Sequence, residues 1–105
     1  MPSSNEYLEF VLGQLSKLDH ISYRSMMGEF VIYYRDKVVG GIYDNRFLVK
    51  PTKSAIAMVP DAERAIPYPG AKEMLLVDVD NQELLTNILK VIYEELPATK
   101  KKKQP

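Results

Sequence analysis

Apolar residues near the start of the chain recur at steps of three and four, which is the spacing of one helix face. Ser3 stands three residues before Glu6, and this pair is typical of a capping box at the start of a helix. We therefore predict a helix over residues 4–19 that ends near Asp19-His20. Its apolar face comprises Leu8, Val11, Leu12, Leu15 and Leu18.

A second helical pattern lies near the other end of the chain. Asp80 and Glu83 repeat the capping-box spacing, and Pro97 closes the pattern because proline cannot continue a helix. The apolar positions in between are Leu84, Leu85, Ile88, Leu89, Ile92 and Leu96. These positions predict a second amphipathic helix that packs against the rest of the domain.

The stretch after the first helix is rich in β-branched and aromatic residues, the types that favour strands. Three strands are predicted over residues 28–35, 38–43 and 46–50. Asp-Lys at 36–37 and Asp-Asn at 44–45 supply short turns between them. Because such turns join neighbouring strands, the three should form an antiparallel meander.

The region between the meander and the last helix is punctuated by proline. Thr52 is predicted to cap a short helix over residues 53–59. The Pro-rich residues 60–72 should form a loop with a brief extended segment at 66–68, and residues 74–79 a further strand.

The predicted elements follow the order α-β-β-β-α-(β)-β-α. Strands that are grouped together and joined by hairpins indicate an α+β fold with an antiparallel sheet, and we expect the helices on one face of it. We assign residues 1–97 to one domain and residues 98–105 to a disordered Lys-rich tail.

The other face of the sheet is expected to be only partly covered. It should carry some of the residues Tyr33, Tyr34, Tyr43 and Leu48. An exposed apolar face is a natural binding surface, and a small domain with a modest core gains from oligomerisation. We therefore expect a homodimer, with these four residues as the candidates for its interface.

Two consecutive glycines, Gly40 and Gly41, interrupt the second predicted strand. Glycine inside a strand marks either a bulge or a close approach of another backbone. The sequence is compatible with a bulge where the first helix packs, and also with the approach of a ligand or partner.

Charge is unevenly distributed along the chain. The 105 residues hold 14 basic and 14 acidic side chains. Lys100 to Lys103 supply four of the basic ones, which leaves 10 basic against 14 acidic in residues 1–99. Such a body favours nucleic acid only if its charge is segregated. The Lys run fits either a solvated tail or an electrostatic arm, so a nucleic-acid partner is left open.

The composition excludes several classes of chemistry. There is no Cys and only one histidine, His20, which rules out disulfides, thiolate nucleophiles, iron–sulfur clusters and Cys-based zinc sites. The GxxxxGK[ST], GxGxxG, HExxH and GxSxG motifs are missing. One carboxylate pair, Asp78 and Asp80, falls on one side of a strand, but capping already explains Asp80. We expect no catalytic residue, no metal site and no cofactor.

A few polar residues remain as weak ligand-binding candidates. Arg24 lies between the first helix and the first predicted strand, Gly28 and Glu29 begin that strand, and Lys50 ends the third. Lys50 and its neighbours fit an anion site, or a charged strand that resists aggregation.

Location follows from the absence of targeting signals. No stretch approaches the roughly 20 apolar residues that span a bilayer, and the first 20 residues lack a signal-peptide pattern. We expect a cytoplasmic protein with no membrane association.

Three runs of the meander carry a family resemblance: residues 27–34 (MGEFVIYY), 36–40 (DKVVG) and 43–52 (YDNRFLVKPT). They resemble the N-terminal domain of the TfoX/Sxy family, and the resemblance covers about residues 5–96. The chain departs from the family pattern at residues 36–37, where the family favours Asp-Gly. It also carries a Lys tail where full-length competence regulators have a second domain.

The resemblance implies an α+β domain of the secretion-chaperone-like type and a link to the regulation of natural competence in bacteria. It supplies no catalytic residues. We therefore expect first a regulatory or protein-interaction module. The alternatives are a DNA-associated transcriptional co-regulator that uses basic residues and the Lys tail, and a small-ligand binder or enzyme of unknown chemistry.

Overall fold

The computed structural model describes residues 3–97, and the predicted Lys-rich tail lies outside them. The described chain contains helices α1 (Asn5–Gln14), α2 (Lys53–Met58) and α3 (Gln82–Glu95). Its strands are β1 (Ile21–Met26), β2 (Glu29–Tyr34), β3 (Lys37–Ile42), β4 (Phe47–Val49), β5 (Arg64–Ala65) and β6 (Met74–Leu76). Among residues 3–97, no helix is long and apolar enough to cross a membrane.

The strands form one antiparallel sheet in the order β1-β2-β3-β4-β6-β5. This confirms the α+β class and the predicted meander, which corresponds to β2, β3 and β4. The weak extra strand is present as β5, at Arg64–Ala65 and not at residues 66–68.

Strand β2 shows how the two faces of the sheet differ. Phe30, Ile32 and Tyr34 are buried, whereas the residues between them are partly exposed. The buried side chains belong to one apolar cluster that includes residues of all three helices. The helices therefore pack on one side of the sheet, as predicted. We call that side the helix face and the other side the open face.

Strand β1 is an element that the sequence pattern did not predict. Five of its six residues are exposed, so it lacks the alternation by which strands are recognised. Its pairing is set by the turn at Met27 and Gly28, whose φ angles of 53° and 85° suit a two-residue hairpin. The hairpin, and not burial, makes β1 a strand.

The helix caps differ from the prediction by one residue at two places. Ser4, not Ser3, caps α1, and Asn81, not Asp80, caps α3. Each capping side chain accepts a hydrogen bond from the backbone N–H three residues later. Both members of each pair are competent caps, so the spacing alone does not choose between them. Thr52 caps α2 as predicted.

Helix α1 is also shorter than predicted, because it ends at Gln14. Leu15 and Leu18 nevertheless continue its apolar face and are buried. The chain between α1 and β1 consists of turns, and His20 adopts a φ of 54°. Apolar residues spaced by three are thus buried here by turns as well as by a helix.

A β-bulge lies between β2 and β3, as the paired glycines suggested. The register of the two strands shifts between Ile32 and Tyr33. A Cβ atom on Gly40 would collide with the Leu48 carbonyl oxygen of β4. The neighbouring strand, and not the first helix, therefore requires glycine at this position.

Candidate functional site

The open face holds three of the four residues that we expected at an interface. Tyr33 lies there half-buried. Leu48 pairs across the sheet with Gly41 and is fully buried, yet it lies outside the cluster under the helices. Tyr34 lies on the helix face instead, where its ring centroid is 5.2 Å from that of Tyr93 in α3. Tyr34 is therefore not available to a partner on the open face.

Tyr43, the fourth candidate, is buried over the end of β3. A Cβ atom on Gly41 would lie 2.6 Å from its ring, so the missing side chain of Gly41 makes room for the phenol. Burial raises the pKa of Tyr43 above its ordinary value, and nearby Tyr68 and Glu29 raise it further. Burial thus favours the neutral form of the Tyr43 phenol.

The loop of residues 66–73 covers part of the open face. Its Tyr68 ring centroid lies 6.2 Å from that of Tyr43, with the planes tilted by 58°. Between this loop and the strands lies a groove of about 430 Å³. The side chains that line it are mostly apolar. They include Met26, Val31, Val38, Tyr43, Pro67 and Met74.

The rim of the groove is accessible and cationic. Met26 and Tyr68 are 41% and 51% exposed, so two large apolar side chains face solvent at its edges. Lys50 and Lys72 also line it, together with Glu73. The Lys50 ammonium makes no hydrogen bond or ion pair with any of residues 3–97. A cation beside an apolar groove favours a ligand that is apolar with an acidic group.

The carboxylate of Glu29, a ligand-binding candidate, forms hydrogen bonds with other parts of the fold. Its Oε1 accepts hydrogen bonds from the Ser3 hydroxyl at 2.6 Å and from the Asp44 backbone N–H at 3.1 Å. Asn45 completes the group, because its backbone N–H donates to the Ser3 hydroxyl and its Oδ1 accepts from the Ser4 backbone N–H. This cluster, which we call the Glu29 clasp, ties the segment before α1 to the β3–β4 turn.

The remaining ligand-binding candidates do not converge with Lys50. Gly28 serves the β1–β2 turn, where its positive φ is required. Arg24 lies on the open face of β1, and its guanidinium carbon is 6.0 Å from the centroid of the Tyr33 ring. It borders a separate shallow depression with Ser22 and Asp36, so only Lys50 of the four candidates lines the groove.

The residues that carry acid–base or metal chemistry do not cluster. Within residues 3–97, no group of three His, Asp or Glu side chains is placed to hold a metal ion. His20 is largely exposed, 3.9 Å from Asp19, whose carboxylate also pairs with Arg35 at 3.2 Å. Asp78 Oδ1 accepts a hydrogen bond from the Asp80 backbone N–H, which stabilises the turn before α3.

Most residues that line the groove were not candidates in the sequence. Pro67 and Tyr68 lie in a loop whose composition predicts a turn but not the face on which it folds. Met26 belongs to the unpredicted β1. The one usable signal was the alternation in β4, which assigned Leu48 and Lys50 to the face opposite the helices.

No family model matches this chain. It is 34% identical over 105 residues to a protein of Spirochaeta aurantia described as the uncharacterized 12.7 kDa protein in the trpE 5' region. The alignment covers 98% of this chain and 91% of that protein. With this identity over nearly the whole of both sequences, the chain belongs to the same protein family as the S. aurantia protein.

Proposed function

We propose that this protein is a non-catalytic protein-interaction module that binds an extended segment of another protein in the groove of the open face. One observation carries the proposal. The groove combines an apolar lining with exposed Met26 and Tyr68 at its rim and with a Lys50 ammonium that has no partner within residues 3–97. Protein interfaces use such apolar anchoring sites with a polar rim.

The lining defines the segment that would fit. Val31 and Val38 favour a bulky apolar side chain in the groove, because burial of such a group drives association. Lys50 favours an acidic residue beside it, since opposite charges select and orient a partner. The proposed target is therefore an apolar and acidic peptide segment.

The two alternatives lack such an observation. For the co-regulator hypothesis, two central cations are engaged within the fold: Arg35 pairs with Asp19, and the Lys37 ammonium donates to the backbone carbonyls of Tyr93 and Leu96. For the ligand-binding or enzymatic hypothesis, the described residues offer a groove with two lysines and one glutamate in its lining, and among residues 3–97 no group of acidic or histidine side chains is placed to hold a metal ion.

Regulation in the bacterial cytoplasm is the wider role that we propose for this binding. The proposal rests on the resemblance of the meander to TfoX N-terminal domains, including its secretion-chaperone-like type. Competence control itself stays a prediction of that resemblance. The relationship to a protein of the bacterium S. aurantia fits a bacterial setting.

Selection of random linear peptides displayed on phage tests the binding hypothesis, with the affinity of each enriched peptide then measured by fluorescence anisotropy. We expect enriched peptides to combine bulky apolar residues with Asp or Glu. The charge reversal Lys50→Glu should weaken their binding about tenfold or more, as expected for the loss of a charged contact and its replacement by repulsion.

Lys17→Glu is the matched control, because Lys17 is exposed after α1 and does not line the groove. It changes the net charge equally and should leave the affinity unchanged. Two results would contradict the proposal: selection that enriches no peptide, or enriched peptides that bind Lys50→Glu as tightly as the wild type.

A further inference from the structure

Among residues 3–97, no strand pairs with the outer side of β1, and this edge of the sheet presents an ordered row of backbone groups. The Arg35 backbone N–H donates to the His20 carbonyl at 3.0 Å, which makes this pair a hydrogen-bonded one. Hydrogen-bonded pairs alternate along antiparallel strands, so Ser22, Arg24 and Met26 direct their backbone groups toward β2. The N–H and C=O groups of the intervening residues point away from the sheet. These residues are Ile21, Tyr23 and Ser25.

Strand β1 has few of the features that protect sheet edges from pairing. It contains no proline, and its six residues pair with β2 without a register shift. Arg24 is its single charged residue. The opposite edge differs, because β5 spans only Arg64–Ala65 and is followed by the Pro-rich loop. Of the two edge strands in residues 3–97, β1 is therefore the longer and more regular one.

We propose that a second copy of this chain pairs with β1 in antiparallel orientation, about a twofold axis that passes beside Tyr23. In this register Tyr23 faces Tyr23 of the second copy, and Ile21 faces Ser25. All three outward-pointing residues are used, which gives about six intermolecular backbone hydrogen bonds. The proposal is independent of peptide binding in the groove, since Met26 is the one β1 residue that lines the groove and the outward-pointing Ile21, Tyr23 and Ser25 do not.

The charges on the strand select this register over its neighbours. With the axis at Tyr23, each Arg24 lies opposite Ser22 of the other copy. An axis at Arg24 would place two guanidinium groups directly opposite each other, and like charges in that position destabilise a strand pair. An axis at Ser22 would leave part of the outward-pointing row unpaired.

The side chains at the axis are suited to the contact. Tyr23 is 48% exposed, and its ring lies edge-on to Phe30 with the centroids 5.9 Å apart. Two Tyr23 rings would therefore meet across the axis as a cross-strand aromatic pair on the helix face. Because the axis is perpendicular to the sheet, both grooves would open on the same side of a continuous sheet. Such a dimer presents two binding sites to one partner.

Sedimentation equilibrium over about 5–500 µM tests this assembly in a range suited to a small interface. We expect the wild type to be a dimer at the upper end of that range. Tyr23→Lys sets two ammonium groups against each other at the axis and should be monomeric throughout. Tyr68→Lys is the control, because Tyr68 is a tyrosine of similar exposure on the open face. It should dimerise like the wild type.

A cysteine substitution tests the register without relying on the stability of Tyr23→Lys. The chain contains no Cys, so Tyr23→Cys introduces a unique thiol at the axis. The Cα atoms of a facing hydrogen-bonded pair lie about 5.5 Å apart, within the range of disulfides. Under mild oxidation Tyr23→Cys should form a covalent dimer much faster than Arg24→Cys, whose thiols are offset by two residues.

Three outcomes would overturn the proposal. The wild type is monomeric at about 500 µM, or Tyr68→Lys abolishes a dimer that Tyr23→Lys retains, or Arg24→Cys links as fast as Tyr23→Cys. The second outcome would assign self-association to the open face. None of these measurements uses a peptide. A negative result for the dimer can therefore be distinguished from a negative result for peptide binding in the groove.

Discussion

The helix face and the open face of this sheet are built from alternate residues of the same strands, yet the two faces are covered to different extents. On the helix face, Ile32 is fully buried and belongs to the apolar cluster that includes residues of all three helices. On the open face, its neighbour Val31 is only partly covered and lines a groove. One face is closed by secondary structure and the other by a single loop. We infer that the first supplies stability and that the second is left for binding.

The largest effect is expected when the side chains at two neighbouring positions of β2, one on each face, are truncated to alanine. Ile32→Ala removes fully buried methyl groups and leaves a cavity, so we expect a loss of about 2–5 kcal/mol in the free energy of unfolding. Val31→Ala on the open face should lose less than about 1.5 kcal/mol, because the wild-type side chain is already partly hydrated. Urea denaturation followed by circular dichroism measures both.

Equal losses of unfolding free energy at the two positions would contradict the inferred difference between the faces, since they would show that the open face is packed as tightly as the core. The dependence of the unfolding free energy on urea should be the same for both variants, because neither changes the surface exposed on unfolding by much.

The next test concerns two glycines with opposite surroundings. Gly41→Ala would place a Cβ atom 2.6 Å from the Tyr43 ring and 2.8 Å from the Phe30 carbonyl oxygen. We expect a loss of about 1–3 kcal/mol from overpacking, with a changed near-ultraviolet dichroism of the displaced tyrosine.

Gly13→Ala is the matched substitution, and it should raise the free energy of unfolding where Gly41→Ala lowers it. Gly13 lies within α1, and a Cβ atom there would meet no heavy atom within 4 Å. Alanine is the better helix former, so we expect a gain of about 0.5–1 kcal/mol. The comparison would be wrong if Gly41→Ala were as stable as the wild type with an unaltered tyrosine signal.

The smallest effect is expected in the helix layer, where α2 and α3 meet at solvent. The Ser54 hydroxyl and backbone N–H both donate to Glu95, and these bonds hold the pKa of its carboxyl below the ordinary value. A lowered folded-state pKa contributes stability above the unfolded pKa, and this contribution is lost as pH falls through the folded one. Glu95→Gln should therefore lower Tm slightly at pH 7.

The difference in Tm between Glu95→Gln and wild type should narrow as the pH falls through the lowered pKa of the wild-type carboxyl, because the carboxylate that accepts from Ser54 is then protonated. Glu94→Gln is the control, since Glu94 forms no such bond to α2. A Tm difference for Glu95→Gln that stayed constant from pH 7 to about pH 3 would contradict this assignment.

The sequence predicted what depends on local spacing. The opposite faces of Phe47 and Leu48 in β4, the apolar faces of α1 and α3, and the Thr52 cap all follow from neighbours one to four residues apart. The faces of β2 were not assigned, and Tyr34 was therefore placed on the wrong one. It missed β1, because an exposed edge strand is defined by its partner and has no burial pattern of its own.

The candidate site was harder to predict, since distant parts of the chain form it. Glu29 looked free for a ligand because its partner Ser3 lies 26 residues away. Tyr68 gave no signal, because its contact with the ring of Tyr43 joins a loop to a distant part of the chain. Lys50 was a candidate, and its place at the groove follows from strand alternation.

The Glu29 clasp has a practical consequence for anyone who labels or fuses this protein. Ser3 and Asp44 share one carboxylate oxygen, and Asp44 directly follows Tyr43 in the groove wall. Residue 3 is thus mechanically an internal position, two hydrogen bonds away from the binding surface. A dye or fusion partner attached there would disturb these hydrogen bonds and, through Asp44, the position of Tyr43 in the groove wall.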